Sequence, residues 1–202
     1  MTGHETPAQA MVWALHSLSH APEIQHKLRL EAQTILSNSA TPTLDELNSL
    51  PYLDKVIREA LRLHSPGAWI ERTPHHVDCI PVDTPYEDRY GNMRDHIVYM
   101  IFFPLARLCL HLCRISPGDK VRISVRGVNC RKDIWGPDAL EFKYVSSFLP
   151  LNEKLTGVVL NSPDRWDNIP KEAEKIPGIV ANSIVFSTGP RGCIGFRFAI
   201  AE

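Results

Sequence analysis

The sequence has no basic block and no basic stripe interleaved with aromatics, and its formal net charge is only -1 at pH 7. That removes any broad electrostatic reason to expect nucleic-acid binding. Its opening, Met1-Thr2-Gly3-His4-Glu5-Thr6-Pro7, lacks a charged leader followed by an apolar run, so no signal peptide or anchor is expected at this end. The cysteines, Cys79, Cys109, Cys113, Cys130 and Cys193, lack both paired metal-ligand spacing and the framework of a small disulfide-stapled domain. They are read as reduced thiols without disulfide partners. The apolar run Ile97–Leu110 is broken by Pro104 and Arg107 and is too short for a membrane span. With 202 residues, 44% hydrophobic and 22% charged, the chain is long enough for one domain with a real core, and its composition is not that of a disordered segment.

Sixteen prolines against eleven glycines imply many short elements and bends. Thr6-Pro7-Ala8-Gln9 reads as a helix opening with Thr6 at the N-cap and Pro7 at the first helical position, and the helix should run to about Ser19. Pro22 opens a second helix with an apolar stripe of Ile24, Leu28, Ala32, Ile35 and Leu36, and Thr43-Leu44-Asp45-Glu46 forms a capping box. From Pro51, the positions Leu53, Val56, Ile57, Ala60, Leu61 and His64 follow a 3.6-residue period until Ser65-Pro66-Gly67 stops the helix. Residues 68–83 read as short strands joined by turns, and the alternation over Val121–Val125 predicts a strand. After Trp135 a proline-rich, coil-like stretch follows, and a last apolar helix begins only after Gly195.

The strongest chemical signal is Phe186-Ser187-Thr188-Gly189-Pro190-Arg191-Gly192-Cys193-Ile194-Gly195. Its glycines permit a tight backbone turn around the cysteine, and the helix start that follows places a positive dipole end where it favours a thiolate. Alternative readings are a buried structural cysteine beside a glycine-rich turn, a phosphate-cradling loop and a Cys/His nucleophile. A P-loop needs Lys followed by Ser or Thr after its last glycine, where Phe196-Arg197 stands here. No histidine is identifiable by spacing as a nucleophile's partner. Glu59-Ala60-Leu61-Arg62 carries a carboxylate and a guanidinium three residues apart on one side of a helix, a pairing that on a solvated surface contributes only a few tenths of a kcal/mol, ~0.2–0.5. Arg72, then Pro163-Asp164-Arg165-Trp166, then the cysteine loop follow in order. His75-His76 has no third ligand at useful spacing and reads as a solvated turn, and Cys109-x-x-x-Cys113 reads as apolar packing rather than a metal site.

In their identity and order these elements resemble the carboxyl-terminal, haem-holding portion of the cytochrome P-450 monooxygenases. The aromatic, both outer glycines, the arginine and the cysteine of the loop match that family's haem-thiolate motif. Glu59–Arg62 matches its Glu-x-x-Arg helix element, and Gly3-His4-Glu5-Thr6 looks like its oxygen-activation segment. The resemblance implies a mainly α fold with a small β-sheet, running from the second half of the oxygen-activation helix to the haem-thiolate loop. It implies haem b held through the Cys193 thiolate, with Phe186, Gly189 and Gly195 shaping the loop and Arg191 and Arg72 pairing with haem propionates. It further implies a Glu59–Arg62–Arg165 network that locks the coil before the loop, and an acid–alcohol pair, Glu5 and Thr6, that helps deliver protons. For a complete relative it implies insertion of one oxygen atom of O2 into a small, lipophilic organic substrate, electrons from an NADPH-linked reductase, and the cytosolic face of the endoplasmic reticulum membrane.

The chain reads as one partial domain over 1–202. Two stretches depart from the family pattern, at about 96–114 and 144–162, where Asp95 should lead towards Val121–Val125 and Glu141-Phe142-Lys143 should run directly into Pro163-Asp164-Arg165-Trp166. They read as translated non-coding sequence in a truncated gene model, the alternative being real surface-loop insertions, which loop-closure entropy tolerates. Weak or absent haem retention is expected of this exact chain. The rival readings are a haem-free remnant without catalysis and an anion-binding module that uses Gly189–Gly195 at a helix start.

Overall fold

The computed structural model describes residues 2–37, 41–82, 86–87, 93–94, 97–99, 109–142, 165–180 and 182–201. They fall into two units, one made of Met1–Ile70 with Ile123–Glu202 and the other of Glu71–Arg122.

The first unit is helical. α1 (Thr2–Ser19) is followed by α2 (Pro22–Leu36), α3 (Leu44–Asn48) and α4 (Pro51–Leu63). Prolines at the first turns of α2 and α4 fit there because the missing N–H is one that a helix start leaves unpaired anyway. α3 carries the expected capping box. The Thr43 hydroxyl accepts from the Glu46 N–H at 3.3 Å, and the Thr43 N–H donates to the Glu46 carboxylate at 2.7 Å. The N-cap position of α4 is Leu50, which has no side-chain acceptor. Glu31 on α2 supplies one instead, its two carboxylate oxygens accepting from the Tyr52 and Leu53 N–H groups at 2.9 Å each. This also ties α2 to α4, where Leu18, Tyr52 and Val56 form a buried cluster backed by Ile24, Leu28 and Phe142. Complete burial of a side chain of that size contributes about 1.5–3 kcal/mol.

The expected start of the first helix is corrected by the structure. α1 begins at Thr2 and Pro7 lies inside it, so Thr6 is not an N-cap. Pro7 offers no N–H to the carbonyl four residues back, at Gly3, yet its ring is buried. Tertiary packing has overridden a capping pattern that was plausible locally. At the far end of α4, His64 is the C-cap and stacks on Trp13 of α1, with ring centroids 4.7 Å apart and planes at 7°. Burial is the main reason that the His64 imidazole takes up a proton less readily than an exposed one, with Arg126, His16 and Arg62 adding repulsion.

A second buried cluster in this unit joins Trp135, Ala139, Trp166 and Ala173, flanked by Ile134, Ile169 and Ile176. It involves α6 (Lys132–Trp135) and α7 (Lys171–Glu174), and α5 (Val125–Asn129) precedes it. The expected strand over Val121–Val125 stops at Ser124, whose hydroxyl accepts from the Gly127 N–H at 2.9 Å and caps α5. The chain ends in α8 (Phe196–Ala201), as the apolar run after Gly195 suggested.

The strands expected in residues 68–83 are β1 (Trp69–Arg72) and β2 (Asp78–Val82), and β1 pairs with β7 (Val121–Ser124). In the second unit β2 lies beside β6 (Cys109–Ile115), which in turn pairs with β5 (Ile97–Tyr99). Both pairings are antiparallel, with Asp78 opposite Ile115 and Ile97 opposite His111. β3 (Tyr86–Glu87) and β4 (Met93–Arg94) form a short separate pair. Strands thus occur within the first departing stretch, while residues 100–108 and 143–164 lie outside the described residues. Glu71 accepts from Arg122 at 2.7 Å and faces Lys120 at 3.4 Å, and those two cations keep its carboxyl below the ordinary carboxylate range. Among the described residues no helix is long and apolar enough to cross a membrane. The described part is mainly α with small β-sheets.

Candidate functional site

Sharp local reversals shape the cysteine loop. Ser187 and Gly189 adopt positive φ, at 59° and 65°, a conformation that costs glycine little. Gly189–Arg191 then form a single 3₁₀ turn closed by the Gly192 N–H on the Gly189 carbonyl at 2.9 Å. A Cβ at Gly192 would stand 2.5 Å from the tip of the Ile179 side chain, which would have to shift, and 3.2 Å from the Gly189 carbonyl oxygen. The Cys193 N–H donates to the Phe186 carbonyl at 2.8 Å, which pins both ends of the loop together. Phe186 and Phe196 rings lie 6.3 Å apart. Cys193 is a free, exposed thiol, and Arg191 is also exposed.

Within the first unit, a cavity of about 370 Å³ opens against this loop. Phe186, Cys193, Gly195 and Phe198 line it from the loop and α8, Leu61 and Gly67 from α4 and its end, and Gly3, Thr6 and Pro7 from α1. The wall is mostly apolar. At Gly3, Gly67 and Gly195 an added Cβ would meet nothing within 4 Å, so these backbones border open space. Thr6 and Cys193, about 190 positions apart in the chain by their numbering, border one space. Glu5 precedes Thr6 on α1 and is exposed.

The same helix α4 that lines the cavity with Leu61 also carries a buried ion network. Glu59 is 1% exposed and Arg62 0%. Arg62 grips Glu59 with two N–H···O bonds of 2.8 Å and uses its remaining donors on the Asn129, Ala139 and Glu141 carbonyls, at 2.8, 2.6 and 3.4 Å. Arg165, itself buried, donates to Glu59 and also to Asp138, through the carbonyl and a carboxylate oxygen at 3.1 Å each. The Trp166 indole N–H completes the shell on Glu59 at 3.2 Å, and the Arg62 guanidinium lies 5.2 Å from the Trp135 ring centroid. Buried charges survive only when paired and bonded in this way, and the planar arginine fork is suited to holding several acceptors together.

The structure therefore brings Glu59, Arg62 and Arg165 together, and Thr6, Phe186, Cys193 and Gly195 together. Arg72 belongs to the second unit, where it is exposed and its guanidinium donates to the Glu71 carbonyl at 2.9 Å. His75 and His76 are exposed in a bend, as expected of a solvated turn. Among the described residues no group of three His, Cys, Asp or Glu side chains could hold a metal ion. Sequence reading gave no site role to Asn129 or to the cavity-lining Leu61, Gly67 and Phe198: Leu61 and Gly67 were named only for the helix pattern and its stop, and only the fold makes them neighbours of the site.

The family model described as cytochrome P-450 matches residues 1–80. Cytochrome P-450 monooxygenases 205 and 128 of Postia placenta are 37% and 36% identical over 202 residues, covering all of this chain and 30% of each relative. Ganoderic acid synthetase of Ganoderma lucidum is 31% identical over 209 residues, again along the entire chain and 32% of the relative. The chain thus spans about 30% of the length of the curated relatives it matches. That match, those similarities and the loop and network built above agree: along its whole length the chain is similar to part of the cytochrome P-450 monooxygenases.

Proposed function

We propose that this chain forms the thiolate-bearing wall of a haem site in a monooxygenase that inserts one oxygen atom of O2 into a small, lipophilic organic substrate. The observation that carries the reading is the cavity bordered by Cys193 on one side and Thr6 on another. Its residues fit the group: an accessible thiol, a largely apolar wall, and glycines whose missing Cβ atoms leave room for a flat ring system. Haem b, when bound, supplies the oxygen-activating redox chemistry, favoured by a thiolate ligand.

The chain's own residues provide placement and proton handling. The Phe186 carbonyl, by holding the Cys193 N–H, fixes the sulfur's backbone, and the reversals at Ser187 and Gly189 set its approach. Phe186 and Phe198 keep that side of the cavity apolar. The Thr6 hydroxyl can hold and pass on a proton inside the cavity, with Glu5 linking it to solvent. Arg191 is the cation for the cofactor's carboxylates, and Glu59, Arg62 and Arg165 are positioning residues.

In this reading residues 1–202 are part of a longer catalytic domain, with insertions at about 96–114 and 144–162. An NADPH-linked reductase supplies electrons, and the complete protein works on the cytosolic face of the endoplasmic reticulum membrane. Sequencing the mature transcript tests the insertions: messages that retain both stretches overturn their reading as non-coding.

The central test is a carbon-monoxide difference spectrum on the reduced complete protein expressed with excess haem, compared with its Cys193→Ser variant. A thiolate band present in the natural complete protein and absent from the variant is expected. An unaltered band in the variant overturns the assignment of Cys193, and no Soret band in either protein overturns the haem reading.

A further inference from the structure

Asn129, at the end of α5, lies 67 residues after Arg62 and 55 before Ile184, and touches both. It is 0% exposed. Its carbonyl, one of those that a helix end leaves without an intrahelical donor, accepts from Arg62 Nη1 at 2.8 Å. Its side-chain Oδ1 accepts from the Ile184 N–H at 3.4 Å. From Ile184 the path to the sulfur is short. The Ile184 carbonyl accepts from Ser187 at 3.0 Å, and this turn presents Phe186, whose carbonyl holds the Cys193 N–H at 2.8 Å. One residue therefore bridges the buried arginine and the segment that closes the cysteine loop.

The cost of this placement is visible. With Oδ1 turned to Ile184, the Asn129 Nδ2 is buried without a hydrogen-bond partner. An orphaned buried donor is unfavourable, so packing alone gives no reason for an amide here. A similarly sized apolar side chain would spare that orphan but would strand the Ile184 N–H. The balance is understandable if the acceptor's service to the loop outweighs the wasted donors.

We propose that Asn129 is a positioning residue for Cys193, transmitting the rigidity of the Glu59–Arg62–Arg165 network to the cysteine loop through Ile184. This rests on the reading of Cys193 as the thiolate ligand, and its test needs no cofactor. Amide hydrogen exchange at Ile184 and Cys193 is measured in the haem-free chain for Asn129→Leu, which keeps the volume and loses the acceptor. Asn129→Ser, too short to reach Ile184, is a second removal should the leucine variant not fold. Asn129→Asp keeps the acceptor. Val125→Ala, in the same helix at a site 1% exposed, controls for general loss of stability.

Loss of one hydrogen bond should speed exchange about fivefold to tenfold at both amides in the Leu or Ser variant. Exchange at Cys193 should return toward the natural rate in Asp and stay near it in Val125→Ala after correction for global stability. Unchanged exchange at Cys193 in the removal variants, or an equal rise in Val125→Ala, overturns the proposal. The haem reading fails on a different measurement, the spectrum of Cys193→Ser, so the two failures are told apart.

Discussion

At the scale of single residues, Glu59 bears the greatest electrostatic demand, because two buried guanidinium groups and an indole N–H converge on its carboxylate. Glu59→Ala leaves those cations buried and uncompensated, and should destabilise the protein by about 3–5 kcal/mol in urea denaturation. A loss below ~1 kcal/mol would show that the network is solvated. Arg165→Lys should also destabilise, since an ammonium cannot reproduce the fork that reaches Glu59 and Asp138 together. His64 gives a pH prediction. Burial, with Arg126, His16 and Arg62, lowers its proton affinity in the fold from the ordinary value of 6.5. The unfolded chain therefore binds the proton more readily, and stability should be complete above pH 6.5 and fall as pH drops through that value toward the lower folded one. His64→Gln should flatten that part of the stability–pH curve measured by denaturation between pH 5 and 8. An identical slope in the variant would assign the effect elsewhere.

At the scale of elements, local signals were read well where one side chain or one proline settles the matter. The capping box at Thr43–Glu46 and the proline starts of α2 and α4 needed nothing beyond neighbours in the chain. They fail where distant groups intervene. α1 runs through Pro7 because that ring is buried, and the strand at Val121 ends one residue early because Ser124 caps a helix that has no periodic pattern of its own. The cap of α4 is wholly tertiary: no residue near Leu50 hints that Glu31 will serve it. Glu31→Ala should therefore cost about 1–2 kcal/mol in thermal or urea denaturation, the range for losing a helix N-cap, although Glu31 is not adjacent in sequence. Thr43→Ala should cost about 1 kcal/mol by the same mechanism. If Glu31→Ala is neutral, solvent satisfies those N–H groups just as well.

At the scale of the whole molecule, the proposed cofactor should act as a ligand that binds the folded chain alone. Excess haem should raise the melting temperature by mass action, and Cys193→Ser should reduce that rise. Equal shifts in both proteins would point to adventitious binding on the apolar wall. Removal of residues 144–162 should change stability by less than ~1 kcal/mol, because loop-closure entropy varies slowly with length. A large loss on that deletion would make the stretch part of the fold. The sequence by itself determined the candidates for the chemistry, the cysteine among its glycines, the Glu–Arg pair and the acid–alcohol pair, because each motif is short and its residue types are poor substitutes for one another. Only the tertiary structure decided that Thr6 and Cys193 share one cavity, that Arg165 reaches Glu59, and that Asn129 stands between Arg62 and the loop. Those meetings depend on long-range packing and on the demand that every buried charge find a partner, neither of which is encoded within any local window of the chain.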